Sequence, residues 1–178
     1  WNWTLLCDFA PFKPVFLPED NPGTFSFYFD TSQRRNCYLA PERFLSDADE
    51  LKKHVGSLTD KMDIFSLGCV IAEIFLEGSS IFTLSQLYKY KRGEYCPNLN
   101  GILDRDVKRM VQSMISLDPK DRLSADEYLE TFKESLFPET FSTFLHPYFQ
   151  VFNNLSSSSS VQSSYKDSDA RVSRIYHD

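Results

Sequence analysis

Apolar positions crowd the stretch from Met62 to Leu76, where Ile64, Phe65, Leu67, Val70, Ile71, Ile74 and Phe75 cover most of a helical circumference. That pattern predicts a helix buried on nearly all sides, with Gly78 as its stop. Farther along, Val107, Met110, Val111, Met114 and Ile115 follow the i, i+3, i+4, i+7, i+8 stripe of an amphipathic helix. Asp118-Pro119 is expected to end it, because the residue before a proline avoids the helical region. Polar residues announce two more helices. Thr83 with Gln86 three positions later reads as a capping box for a short helix ending near Gly93. Ser124 with Glu127 opens another, carrying Tyr128, Leu129 and Phe132.

Outside these helices the pattern changes. Thr4 to Cys7 reads as a strand, and residues 10–36 form a long irregular stretch. Pro11, Pro14, Pro18 and Pro22 interrupt any helix or central strand there. A loop of that length inside a compact domain is usually functional or mobile. Ser46 to Lys61 is polar and reads as a solvated insertion. Phe137 to Phe152 is aromatic, with Pro138 and Pro147 as breaks, and the remainder, including the block Ser156 to Ser160, reads as disordered. The expected fold is mainly α: one strand and an ordered loop, about four packed helices, then a tail. The chain opens on Trp1-Asn2-Trp3 and runs straight into the strand. We read this as a domain cut in mid-core, a fragment.

Composition narrows the function classes. The chain has 178 residues, 42% hydrophobic and 15% aromatic, with 16 Phe and 9 Tyr. This is enough for one packed domain and too little for two. A net charge of -6 argues against a nucleic-acid partner, which needs a basic surface. No run of about 18 apolar residues occurs, so no membrane-inserted segment is expected. The four cysteines, Cys7, Cys37, Cys69 and Cys96, are scattered without the spacing of a zinc site. Cys69 lies within the apolar helix, where a reduced, buried thiol is the plain reading. A cytoplasmic location fits these features.

Four short motifs occur in order. They are Cys7-Asp8-Phe9-Ala10 after the strand, and Tyr38-Leu39-Ala40-Pro41-Glu42-Arg43 at the far end of the loop. Asp63-Ile64-Phe65-Ser66-Leu67-Gly68 then opens the apolar helix, and Asp118-Pro119-Lys120-Asp121-Arg122 lies between two later helices. Together they resemble the Asp-Phe-Gly, Ala-Pro-Glu, Asp-x-Trp-Ser-x-Gly and Asp-Pro-x-x-Arg elements of a protein-kinase C-lobe, over residues 1–135. The resemblance implies an α+β kinase fold with its N-lobe missing. It also implies that Asp8 ligates the Mg²⁺ that bridges ATP phosphates. On position alone Asp8 is equally an ordinary turn residue, and Phe9, implied to pack under the N-lobe, is equally any core Phe. Ala10 departs from the Gly of ordinary kinases, which permits backbone angles that a Cβ disfavours. Glu42 and Arg122 are implied to form a buried ion pair, the first following Ala40-Pro41. Asp63, with Gly68 five residues on, is implied to accept backbone hydrogen bonds from a catalytic loop. Thr24, Thr31 and Ser32 are loop hydroxyls, more commonly solvated than phosphorylated, and Arg34 and Arg35 either pair with a phosphate or face solvent.

The Gly-rich loop, the strand lysine, its helix glutamate and the His-Arg-Asp loop of a kinase have no counterpart in these residues. The fragment by itself is therefore expected to bind no Mg-ATP and to catalyse nothing. Finer resemblance follows from Asp8-Phe9-Ala10-Pro11-Phe12-Lys13-Pro14, Leu17-Pro18-Glu19-Asp20-Asn21-Pro22, Phe29-Asp30-Thr31-Ser32-Gln33-Arg34-Arg35 and Phe144-Leu145-His146-Pro147-Tyr148. These resemble the kinase-like regulatory subunit of the class III phosphatidylinositol 3-kinase complex, of the vacuolar-protein-sorting type. In that family Ala10 is the usual residue, and Phe65 replaces the usual Trp. The resemblance implies a pseudokinase or weakly active serine/threonine kinase domain that scaffolds the lipid kinase catalytic subunit in endosomal sorting and autophagy. It also implies a peripheral location on those membranes through the complex. Residues 136–153 become a connector toward a helical-repeat region, and 154–178 a serine-rich tail. The alternative is a fragment of a catalytic serine/threonine protein kinase.

Overall fold

The computed structural model describes residues 12–30, 33–46, 59–145, 147, 148 and 151. The strand expected at Thr4 to Cys7, the Asp8-Phe9-Ala10 motif, Thr31 and Ser32, most of the polar insertion and the serine tail lie outside them. The chain divides after Phe132 into two units. The first contains β1 (Leu17–Pro18), α1 (Pro22–Phe29), a 3-10 turn (Pro41–Arg43), β2 (Phe44–Leu45) and α2 (Lys61–Phe75). It continues with α3 (Leu84–Lys91), α4 (Arg105–Met114), a second 3-10 turn (Pro119–Asp121) and α5 (Ala125–Thr131). The second unit holds α6 (Lys133–Leu136) and a π-helical stretch, Phe141–Leu145. The architecture is mainly helical.

The first unit is centred on α2 and α4. Helix α2 buries Met62, Ile64, Phe65, Gly68, Cys69 and Ala72, and α4 buries Val107, Met110, Val111 and Met114. Gly68 is the point of close approach: a Cβ there would stand 2.8 Å from Met114 Cβ and 3.0 Å from Ile115 Cγ2. Phe65 stacks on Phe82 with centroids 5.8 Å apart, and Phe82 tilts against Tyr90 at 5.1 Å. Leu17, Phe44, Leu87 and Val111 complete a core with next to no exposure.

The expectation that α2 is buried on nearly all sides fails. Leu67, Val70, Ile74 and Phe75 are 46, 43, 69 and 46% exposed. An apolar circumference states which faces need covering, but α2 is packed along one stripe and the other stays open to solvent.

Both capping boxes form. Gln86 Oε1 accepts from the Thr83 N–H at 2.8 Å, and Thr83 Oγ1 accepts from the Gln86 N–H at 3.3 Å. Ser124 and Glu127 repeat this at 2.7 and 3.3 Å. Asp104 caps α4, its carboxylate accepting from the Asp106 and Val107 N–H groups at 2.8 and 3.0 Å. Helix α4 stops at Met114, ahead of Asp118-Pro119. Asp118 instead caps the second 3-10 turn, accepting from the Lys120 N–H at 2.9 Å.

The proline-rich loop contains more structure than its sequence predicts. Pro22 opens α1 instead of preventing it, because the first helical position has no use for an N–H and already has proline's φ. Its one buried residue is Phe25. Before it, β1 pairs in parallel with β2, Leu17 opposite Phe44 and Pro18 opposite Leu45. Parallel strands require a crossover of a dozen or more residues, and here the segment containing α1 supplies it. The Cys37 N–H donates to the Phe82 carbonyl at 2.9 Å, fastening the return of the loop beside α3.

Candidate functional site

The loop ends in the 3-10 turn, with Pro41 at its start and Ala40 fully buried before it. This turn aims Glu42 at Arg122. Arg122 Nη1 donates to Glu42 Oε1 at 2.6 Å and Nη2 to Oε2 at 3.0 Å. The same guanidinium donates through Nη1 to the Lys61 carbonyl at 2.9 Å, through Nε to Ser116 at 2.8 Å and through Nη2 to Leu117 at 3.2 Å. Arg122 has five N–H donors, and each has an acceptor. Its flat face lies 5.0 Å from the centroid of Phe65. The Arg122 side chain is 0% exposed and that of Glu42 22%. A buried guanidinium is tolerated only when paired and fully hydrogen-bonded, and this one joins the loop, the start of α2 and the turn after α4 at a single point.

Gly68 sits on the α2 face that meets α4, so the motif glycine serves helix packing. Asp63 is exposed in the first turn of α2, where a carboxylate suits the positive end of the helix dipole. Arg43 lies within its electrostatic reach. Glu42 and Arg122 are thus brought together; Ala40 and Pro41 are buried beside Glu42 in the chain, Gly68 packs against Met114 and Ile115, and Asp63 is exposed. Phe9 and Ala10 lie outside the described residues.

Three further contributors have contacts that the motifs do not announce, although Tyr38 and Arg43 lie within the second motif. Arg43 donates through Nε to the Val15 carbonyl at 2.7 Å and through Nη2 to that of Pro14 at 3.1 Å. Lys91 donates to Glu19 and to the Phe44 carbonyl, both at 2.7 Å. Tyr38 donates its hydroxyl to Glu73 at 2.6 Å, in a chain that continues through Asn36 to Ser80. Burial first, and then the bond to Glu73, raise the pKa of that phenol, so it acts as a neutral donor at ordinary pH. Apart from the Asn36–Tyr38 bond, two positions apart, each contact spans tens of residues, and no local spacing marks it.

Among the described residues no group of three or more His, Cys, Asp or Glu is placed to hold a metal ion. Asp8 lies outside them, so no chemistry through Mg-ATP follows from the described geometry. Among the described residues, no helix is long and apolar enough to cross a membrane.

A loop ending in Ala40-Pro41-Glu42, tied by a buried arginine fork to a helical body around α2, defines the C-lobe of a protein kinase. A serine/threonine-protein kinase, VPS15 of Saccharomyces cerevisiae, is 48% identical over 194 residues, covering 100% of the chain. The VPS15 serine/threonine-protein kinase of Arabidopsis thaliana is 48% identical over 160 residues, covering 88% of the chain. The chain is a homologue of these VPS15 kinases and matches a fragment of their kinase domain. It spans 13% of the yeast relative's length and 11% of the plant relative's. A mitogen-activated protein kinase, spm1 of Cytospora mali, is 25% identical over 184 residues, 85% of the chain and 38% of that protein. No protein-family model matches the chain.

Proposed function

We propose that this lobe belongs to a regulatory, kinase-like subunit that scaffolds and restrains the lipid kinase of a class III phosphatidylinositol 3-kinase complex in endosomal sorting and autophagy. The observation that carries the reading is the Asp8-Phe9-Ala10 signature in a chain 48% identical to VPS15 kinases. The fully satisfied Arg122 fork adds support, because it braces the loop as a fixed surface without requiring nucleotide. The parent is then a cytoplasmic protein, peripheral on endosomal and autophagic membranes through its complex. Mg-ATP belongs at most to the intact parent, with Asp8 as the residue to hold the metal. The open stripe of α2, Leu67, Val70, Ile74 and Phe75, is a face for the rest of that kinase domain.

A second reading is favoured by the relatives' names, which call them serine/threonine-protein kinases: the parent phosphorylates proteins. The test is affinity purification of the full-length parent under mild salt. The scaffold reading expects a phosphatidylinositol 3-kinase catalytic subunit to co-purify. Its absence from intact parent would overturn that reading. Protein phosphorylation by purified parent, lost in Asp8→Asn, would establish the second.

A further inference from the structure

Glu42 and Arg43 are adjacent, yet they serve different attachments. Glu42 engages Arg122, whereas Arg43 gathers the beginning of the loop. Its guanidinium donates to the Val15 and Pro14 carbonyls at 2.7 and 3.1 Å and lies 5.2 Å from the centroid of the Phe29 ring at the end of α1. Lys91, at the end of α3, bridges the short ladder: its ammonium donates to the Glu19 carboxylate and to the Phe44 carbonyl at 2.7 Å each. The Lys91 and Glu19 side chains are 30 and 23% exposed, sheltered enough that solvent weakens the pair only in part. The Glu19 N–H adds a bond to the Leu45 carbonyl at 2.9 Å.

The far end of α1 is held as well. Asp30 accepts from the Arg35 N–H at 3.1 and 3.0 Å through its two oxygens. Gln33 and Arg35 stand there at φ +56° and +61°, backbone angles that non-glycine residues keep only when their surroundings impose them. Every acceptor in this set is a carbonyl or carboxylate of the loop itself. Loops ordered by phosphorylation depend on arginines engaged by an added phosphate; here Arg43 and Lys91 are already engaged by the loop's own oxygens, while Arg34 and Arg35 are exposed.

We propose that the stretches 14–30 and 33–45 form a self-locked loop. Arg43 and Lys91 hold it in one conformation without phosphorylation, and so fix where Ala40-Pro41-Glu42 meets the helical body. This goes beyond the scaffold reading and does not depend on which partner the parent binds.

The test is hydrogen exchange with mass spectrometry on the full-length protein that carries this chain, before and after phosphatase treatment verified by intact mass. Peptides over residues 14–30 report the loop, and peptides over α4 report the body. The expected result is equal protection of the loop in both samples. Arg43→Ala and Lys91→Met should each speed exchange of the loop at least about tenfold while α4 keeps its protection. Loss of loop protection on phosphatase treatment, or unchanged exchange in both variants, would overturn the proposal. If Arg43→Ala also exposes α4, the lobe has unfolded. Lys91→Met, which keeps an unbranched side chain of similar length, then decides together with the phosphatase comparison.

Discussion

Arg122 and Glu42 meet across 80 positions of sequence, with Nη1 to Oε1 at 2.6 Å and Nη2 to Oε2 at 3.0 Å. Sequence neighbours bring neither residue to the other. The 3-10 turn after Ala40 aims one, and the 3-10 turn after Asp118 aims the other. The fork is thus the point at which loop and helical body become one piece.

Removing one partner leaves the other charged and largely buried, which costs about 3–5 kcal/mol. Arg122→Ala and Glu42→Gln should therefore lower the opening free energy of α4 amides, read by hydrogen exchange, by a few kcal/mol. Arg122→Lys should fall nearly as far, since an ammonium cannot fork onto two oxygens. A change below about 1 kcal/mol in Arg122→Ala would place the pair among ordinary surface contacts.

Gly68→Ala should destabilise the α2–α4 contact by about 1–3 kcal/mol, the usual range for overpacking. The new methyl would meet Met114 Cβ at 2.8 Å, an atom fixed to its backbone. Gly101→Ala is the control: its nearest neighbour is Leu76 Cδ2 at 2.7 Å, the tip of a side chain that can swing away. Thermal unfolding of the two variants should separate them, with the Gly101 variant closer to the parent.

The cysteines should differ sharply in reactivity. Burial pushes the Cys37 thiol up to about 12 and raises that of Cys69 as well, while Cys96 is exposed. The thiolate is the reactive species, so iodoacetamide at mildly alkaline pH should label Cys96 and spare Cys37 and Cys69 until the lobe unfolds. Peptide mapping reads this directly. Equal labelling of Cys37 and Cys96 in folded protein would contradict the packing beside Phe82.

The cap of α5 should impose an acid limb. The Ser124 N–H and then its hydroxyl hold the Glu127 carboxyl below its ordinary 4.5. A carboxyl depressed in the folded state binds its proton more readily when unfolded, so its stabilisation is full above about pH 4.5 and is lost as pH falls through the folded value. Glu127→Gln should flatten the decline of the unfolding midpoint between about pH 5 and pH 3. An unchanged slope would show that the box does not titrate with folding.

Local signals in the sequence locate much of this lobe. The boxes at Thr83 and Ser124 are legible because donor and acceptor lie three residues apart on one turn of helix. The α4 stripe is legible because one neighbour, α2, covers it. Helix α2 misleads for the complementary reason: its residues report that all faces want burial, but not what supplies it. Pro22 misleads because a breaker within a helix is also a starter at its first position. The two-residue strands carry no period to detect, and Arg43 and Lys91 bind carbonyls, which every residue possesses. The motifs locate Glu42 and Arg122; only the fold shows that Arg43 and Lys91 hold the loop leading to them.

The most direct test of the scaffold role is the amount of phosphatidylinositol 3-kinase catalytic subunit recovered with the full-length parent under mild salt, with and without Arg122→Ala. We expect near-stoichiometric recovery with the wild-type lobe and a large loss when the fork is broken. Intact wild-type parent recovered without the lipid kinase would contradict the role.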